Sequence, residues 1–383
     1  MMNNEQMKAL TATARAVAVN HGFPLLRVSE AAPATSDADI ASQRIKDGKF
    51  SGLQWFTEDR IKLASQPTQL LPTARSVVTF AVNYYDEGSE SLRDSNKGYV
   101  ARYAVGKDYH RTLKKRLSAY MLDLITAIGF SPEYRIFVDD SPLLERAFAR
   151  MSGLGWIGKN TNLLVPGSGS WVLLAEIITS LELIPDTPVK KTCGTCTKCI
   201  DICPTGAISA DYQVDNDRCI SYLTIENRGA IPRNLRNGVG TWIFGCDLCQ
   251  EICPVNRKAK GVIFDELRIR QDLRDFDMRE ILSMDESAFL LRFQGTPVMR
   301  AKLKGMQRNV CVALGNIGDI EDVALLTQTL CNSAPLVRGH AAWALSQIPS
   351  PGALTSLKKR LSIEQDAWVL GELEDAVKAH TLV

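Results

Sequence analysis

The cysteines limit what this chain can be more than any other residues in it. Cys193-x2-Cys196-x2-Cys199-x3-Cys203 is closed by Pro204, Cys246-x2-Cys249-x3-Cys253 is closed by Pro254, and Cys219 stands between the two runs. This is the spacing of a fold built around two iron–sulfur clusters, in which three thiolates of a run hold one cubane and the fourth, beside proline, crosses to the other. On that pattern the ligand sets interleave. Cys193, Cys196, Cys199 and Cys253 take the first 4Fe–4S cluster, and Cys203, Cys219, Cys246 and Cys249 take the second. Tetrahedral zinc also uses Cys-x2-Cys pairs, but runs of this spacing capped by proline fit it poorly. Disulfides fit less well still: the opening MMNNEQMKAL has no basic stretch followed by an apolar one, so no secretory signal is read there and the thiols are expected to stay reduced in the cytoplasm. Cys311 and Cys331 lie in apolar helical surroundings and are read as small buried hydrophobes.

The second run departs from a plain ferredoxin. Its first cysteine is displaced upstream to Cys219, and the insertion so created carries Tyr222, Arg228, Arg233, Arg236 and Trp242. A loop inside a cluster's own ligand set stays close to that cluster, which makes these side chains candidates to touch whatever receives the electrons.

With 383 residues, 45% of them hydrophobic and 23% charged, the chain reads as an ordinary globular one of two or three domains. No apolar run is long enough to span a bilayer. The net charge of +2 does not by itself argue for nucleic acid, but its distribution is uneven. From Ser287 to Gly318 there is no acidic residue, while Arg292, Arg300, Lys302, Lys304 and Arg308 all fall there. Such a segment is either a solvated helix face or a patch that holds phosphates.

Residues 1–184 read as an α/β domain. SVVTFAVNY (Ser76–Tyr84), Arg135–Val138 and Trp171–Ile178 are apolar, β-branched runs fit for buried strands. Between them, His110–Ile128 carries apolar residues at helical spacing and Gly129 sits where a C-terminal cap belongs. A central sheet covered by helices follows. Residues 185–264, entered through Pro185 and Pro188, form the ferredoxin-like two-cluster unit. Residues 265–383 read as helical, with a faint repeat: Ala313-Leu314-x2-Ile317 recurs as Ala344-Leu345-x2-Ile348, thirty-one residues on. Helix pairs at this period stack as HEAT-type solenoids, although two units are also compatible with a plain bundle.

Three polar stretches are candidates for chemistry. Val138-Asp139-Asp140-Ser141-Pro142 leaves a strand and opens a helix; Asp140 and Ser141 read as caps, whereas Asp139, if removed from water in a cleft, has a raised pKa and a proton to give to a leaving oxygen. Gly153-Leu154-Gly155-Trp156-Ile157-Gly158-Lys159-Asn160-Thr161-Asn162 is a tight backbone with a cation and amides on its lip, suited to a phosphate or an amide-bearing cofactor; it lacks the order of a P-loop. Tyr103-Ala104-Val105-Gly106-Lys107-Asp108-Tyr109-His110 groups an aromatic, a carboxylate and one of only four histidines, read either as structural hydrogen bonding or as a functional imidazole.

Together, YAVGKDYH, VDDSPLLERAFARMSGLGWIGKNTNL, the split cysteine motif, CISYLTIENRGAIP and the C-terminal repeats resemble the cobalamin-dependent epoxyqueuosine reductases, relatives of the reductive dehalogenases. The likeness runs over nearly the whole chain in the expected order. It implies a reductive-dehalogenase-like cobalamin-binding α/β domain, a two-cluster ferredoxin-like domain and HEAT-like repeats that bind tRNA. The implied reaction reduces the epoxide of epoxyqueuosine, at the wobble position of tRNA, to the alkene of queuosine. By the same resemblance Asp139 falls on the proton donor, Arg60, Asp139, Lys159 and Asn160 contact cobalamin, and Asp108, His110 and Arg146 line the nucleoside pocket. Ser221 and Arg228 then lie between cluster, corrin and tRNA, and Lys302, Lys304 and Arg308 hold RNA phosphates. A cytoplasmic monomer fed by an external low-potential electron donor, with no membrane partner, completes the expectation. Two other readings remain: a reductive dehalogenase acting on a small molecule, which would usually carry a twin-arginine signal, and a bare electron-transfer module, which leaves the α/β domain without a purpose.

Overall fold

A computed structural model describes residues 3–87, 97–274 and 276–381. The N-terminal body is built on four antiparallel strands, β1 (Leu26–Glu30), β2 (Ser76–Asn83), β3 (Tyr134–Phe137) and β4 (Val172–Thr179), ordered β1-β2-β4-β3. Every residue of β2 is buried, because it lies between two strands and under helices on both faces. Alternation along β2 and β4 divides the sheet. Val78, Phe80, Val82, Ala175 and Ile177 pack under α1 (Asn4–Asn20) and α2 (Tyr109–Ile128), while Val77, Phe137 and Ile178 pack under α3 (Glu145–Met151). Each fully buried aliphatic or aromatic side chain of this kind stabilises the body by about 1.5–3 kcal/mol.

Both ends of α2 are specified locally. The Asp108 carboxylate caps its first turn through the His110 N–H at 3.0 Å, and Gly129 closes it in the left-handed region at φ 78°. The helix after Asp139 starts later than the sequence suggests. It begins at Glu145 without a side-chain cap, and Asp140 instead pairs with Lys114 of α2, so Asp140 and Ser141 are not caps.

The cysteine insertion does not stand free. It forms α4 (Ile220–Ile225), α5 (Arg233–Val239) and strand β5 (Trp242–Phe244), whose apolar side chains share one core with the C-terminal helices. Those helices are α6 (Lys302–Ile317), α7 (Val323–Thr329), α8 (Pro335–Ser346), α9 (Pro351–Leu361) and α10 (Ala367–Thr381). The repeated Ala313-Leu314 and Ala344-Leu345 are fully buried where α6 meets α8. Glycine sets how closely the two helices approach: a Cβ on Gly315 would lie 2.9 Å from the Ala344 Cα. Cys311 is buried in this core as expected, but Cys331 is exposed at the end of α7, so only the first is a core hydrophobe.

Polar ties reinforce the seam. Arg236 of α5 makes a bidentate pair with Glu372 of α10 at 2.8 Å, and Arg233 joins the same carboxylate. His340 of α8, fully buried, donates from Nδ1 to the Leu336 carbonyl and accepts the Ile231 N–H at Nε2. Among the described residues no helix is long and apolar enough to cross a membrane.

Candidate functional site

A cleft of ≈ 1130 Å³ opens between the N-terminal sheet, the cysteine region and the insertion. Cavities for ordinary small ligands run about 300–1,000 Å³, so this one has room for a large cofactor together with part of a substrate. Four thiols line it, those of Cys203, Cys219, Cys246 and Cys249. They are the set the spacing assigns to the second cluster, while Cys193, Cys196, Cys199 and Cys253 lie away from the cleft. The thiols also influence one another largely within these sets. Burial raises the Cys199 and Cys253 pKa values, with Cys193 and Cys196 adding to both, and burial raises Cys246, with Cys249 and Cys219 adding. Half-buried thiols raised in this way give up their protons on binding a cation such as cluster iron. Among the described residues no three Cys, His, Asp or Glu side chains are grouped so as to hold a single metal ion.

Asp139 lines the same cleft, just beyond β3 at φ 49°, a left-handed conformation that costs a non-glycine residue about 1–3 kcal/mol. Its N–H donates to Glu145 Oε1 at 2.6 Å and its Oδ2 accepts the Tyr109 hydroxyl at 2.5 Å. His110 Nε2 stands 3.9 Å from the same oxygen, and His110 Nδ1 is held by Asp108 at 2.7 Å. Burial would lower the His110 pKa, but the Asp108 hydrogen bond and the charges of Asp108, Asp139 and Asp140 raise it on balance. Asp108 is lowered, chiefly by the same hydrogen bond. Burial and the neighbouring Asp139 charge push the Tyr103 and Tyr109 hydroxyls far up, so both remain hydrogen-bond donors. The Asp139 side chain is itself 63% exposed to the cleft. The protein's own walls therefore do not supply the removal from water anticipated for it.

The remaining candidates divide. Arg60, Arg146, Asn160 and Ser221 line the cleft, with the Arg60 guanidinium 4.8 Å over the Trp55 ring and Arg146 Nη1 donating to the Thr161 carbonyl at 2.8 Å. Asn160 reaches the backbone of the second cysteine set, donating to the Cys249 carbonyl at 3.2 Å. Lys159 does not line the cleft: its buried ammonium pairs with Asp211 at 3.0 Å, which corrects its reading as a cofactor contact. Glycines in this loop serve close backbone packing, since a Cβ on Gly153 would sit 2.1 Å from the Thr187 carbonyl oxygen.

Asp108 and His110 lie one side chain back from the cleft and connect to it through Asp139 and Tyr109. Arg228 is exposed and donates to the Ile225 and Ala301 carbonyls, beside Lys302 and Lys304, which are also exposed. Arg308 is different. Fully buried, it donates to the Leu223, Asn227 and Gly229 carbonyls and to Asn309 Oδ1, so it ties the insertion to α6 and cannot reach a phosphate. Arg292 pairs with Glu280 and Arg300 with Glu226. Of the insertion side chains, Arg233, Arg236 and Trp242 turn to the C-terminal helices or the core, and Tyr222 faces the cleft. The sequence placed Tyr109 in the polar stretch beside Asp108 and His110 but gave its hydroxyl no role of its own. The motif reading overlooked Glu145 and Glu176, the latter a lone acid within an apolar strand.

Residues 65–140 match the family described as epoxyqueuosine reductase QueG, residues 192–256 a 4Fe-4S double cluster binding domain, and residues 299–378 HEAT repeats. The epoxyqueuosine reductase of Xanthomonas campestris pv. campestris is 43% identical over 309 residues, spanning 79% of this chain and 86% of that protein. A crystal structure of an epoxyqueuosine reductase with a tRNA-Tyr epoxyqueuosine-modified tRNA stem loop superposes with a TM-score of 0.91 at 30% identity, covering 97% of this chain and 99% of that one. The Bacillus subtilis epoxyqueuosine reductase, in a structure with its aspartate catalytic loop swung out of the active site, superposes with a TM-score of 0.89 at 30% identity over 97% of this chain and 99% of that one.

Proposed function

This chain belongs to the epoxyqueuosine reductase family, and from that premise we propose that it reduces the epoxide of epoxyqueuosine to the alkene of queuosine at the wobble position of tRNA, with Asp139 as proton donor and cobalamin beside the second 4Fe–4S cluster. The observation that carries this is the cleft itself, in which the four thiols of one cluster set and the Asp139 carboxyl share a single space. Its lining fits a flat, amide-bearing macrocycle: Leu53, Phe56, Leu173 and Ile225 offer apolar faces and Asn160 and Asn162 offer amides. When bound, the clusters supply electrons singly and cobalamin supplies the reducing chemistry that no side chain here has.

Opening the epoxide and expelling its oxygen as water takes up two protons. Asp139 delivers the first from Oδ2, which Tyr109 orients, and His110 at 3.9 Å is placed to restore the proton to Asp139. A bound corrin and nucleoside would cover the Asp139 side chain and provide the removal from water that the protein alone does not. Arg146 and Ser221, in the lining of the cleft, hold the nucleoside. A wobble base is already single-stranded, so it enters such a cleft without breaking a duplex, while Arg228, Lys302 and Lys304 hold the RNA backbone. The protein works in the cytoplasm as a monomer and takes electrons from an external low-potential donor.

The test is anaerobic incubation with cobalamin, a strong reductant and a stem loop bearing epoxyqueuosine, followed by nucleoside mass spectrometry. Queuosine should appear in proportion to protein turnover. Unchanged epoxyqueuosine from protein with both clusters and cobalamin bound would defeat the proposal.

A further inference from the structure

Glu176 occupies the middle of β4 with no exposure to solvent, and among the described residues neither of its oxygens meets an N–H or O–H donor. Its strand partner on β2 is Thr79, whose hydroxyl is equally buried and has no partner among the described residues. Beside it lies the Glu145 carboxyl, at the first position of α3. Glu145 Oε1 is committed to the Asp139 N–H at 2.6 Å. Two ionised carboxylates cannot hydrogen-bond each other, and Glu176, sealed from water, cannot hold a charge beside Glu145, which is half-buried and reaches the cleft. A single proton between them resolves both difficulties.

We infer that Glu145 and Glu176 share one buried proton, carried on Glu176 and donated to Glu145, and that this pair holds Asp139 in its left-handed conformation. The two are positioning residues acting through the Asp139 backbone. The consequence for turnover rests on the reading of Asp139 as the acid, but the proton sharing does not. The surroundings agree. From the loop the pair faces Asp139, and from α3 it faces Arg146, which is exposed and turned to the Thr161 carbonyl. From α2 comes the neutral hydroxyl of Tyr109, from β2 Thr79 and from β3 the uncharged Phe137. Arg27 of β1 shares this row of the sheet but is exposed, and Trp156, Ile157, Leu163 and Leu164, on two short strands against α3, are uncharged. Burial and the Asp139 charge raise Glu145, and burial with the Glu145 charge raises Glu176 well above the ordinary range, so the pair as a whole retains a proton at neutral pH. Loss of the shared proton in alkali leaves two repelling charges, drives Glu145 outward and releases the Asp139 N–H.

The experiment uses the intact protein, wild type and Glu176→Gln, whose amide donates to Glu145 at every pH. Infrared difference spectra should show a protonated-carboxyl band in the wild type at about pH 7 that Glu176→Gln lacks. Amide exchange of the Asp139 segment, corrected for intrinsic rate, should quicken by about tenfold or more towards pH 9.5 in the wild type and stay level in Glu176→Gln. The pH profile of turnover should lose its alkaline limb in the variant. Absence of the band from the wild type, or the same alkaline quickening in both proteins, would overturn the inference. Failure of Asp139 as the acid would instead appear as turnover by Asp139→Asn with the band and the exchange pattern intact.

Discussion

Replacing Arg308 by methionine separates a structural arginine from an RNA contact. The guanidinium makes five N–H···O contacts of 2.6–3.0 Å, three to backbone carbonyls of the insertion and two to Asn309 Oδ1. Burial lowers its pKa to about 9, and the nearby Arg228 charge adds to that. Methionine matches much of its volume and removes the buried charge, which offsets part of the loss. It also orphans the Leu223, Asn227 and Gly229 carbonyls, each costing about 1–3 kcal/mol. The net destabilisation should be about 3–5 kcal/mol, comparable to breaking a buried charged network. At roughly 2–4 °C per kcal/mol the apparent Tm falls by the order of 10 °C. Circular dichroism melting gives the shift, and hydrogen exchange should localise it to residues 221–231. The companion measurement is stem-loop affinity against salt. Lys302→Gln and Lys304→Gln should each reduce the slope of log K against log salt by about 0.7 and leave Tm alone, whereas Arg308→Met should leave the slope alone. A stable Arg308→Met with a reduced slope would refute the assignment of Arg308 to the seam and return it to the phosphates.

Other expectations follow from the same contacts. His340, buried with its pKa depressed well below the ordinary value by burial and the Arg236 charge, stays neutral when folded. The unfolded chain takes up a proton that the folded one refuses, so His340's contribution is full above about pH 6.5 and is lost as pH falls towards the folded value; denaturant midpoints of wild type should drop across this window more than those of His340→Gln. Gly315→Ala places a methyl against Trp343 and the Ala344 backbone and should cost about 1–3 kcal/mol in chemical denaturation, with stem-loop affinity per folded molecule unchanged. Cys219→Ser should remove one cluster only, halving iron content while leaving the spectrum of the Cys193, Cys196, Cys199 and Cys253 cluster, since burial and sulfur grouping assign Cys219 to the cleft side.

Period and spacing made three of the four strands of the sheet, the α2 helix with its Gly129 cap, the double-cluster cysteine motif and the HEAT-type repeat legible. Each depends on residues a few positions apart: the apolar, β-branched run SVVTFAVN, the 3.6-residue stripe of α2, the doublet of Ala-Leu in α6 and α8. Charge alone misled. Arg308 and Lys159 look like exposed cations in a string of letters, but Arg308 is surrounded by carbonyls from residues about eighty positions earlier and Lys159 by Asp211. Arg233 and Arg236 reach Glu372 across a still longer separation. Such long-range pairing has no local period to betray it. Glu176 did leave a trace, a single carboxylate inside the apolar run WVLLAEIIT. Its meaning required Glu145 beside it.

The most direct test of the account is a single-turnover assay of Asp139→Asn against wild type, each carrying both clusters and cobalamin by spectrum, on a stem loop containing epoxyqueuosine. Wild type should form queuosine while the variant, equal in cofactor content and stem-loop affinity, loses at least about a hundredfold in rate, the usual scale of a general acid. Queuosine formed by Asp139→Asn at the wild-type rate would contradict it.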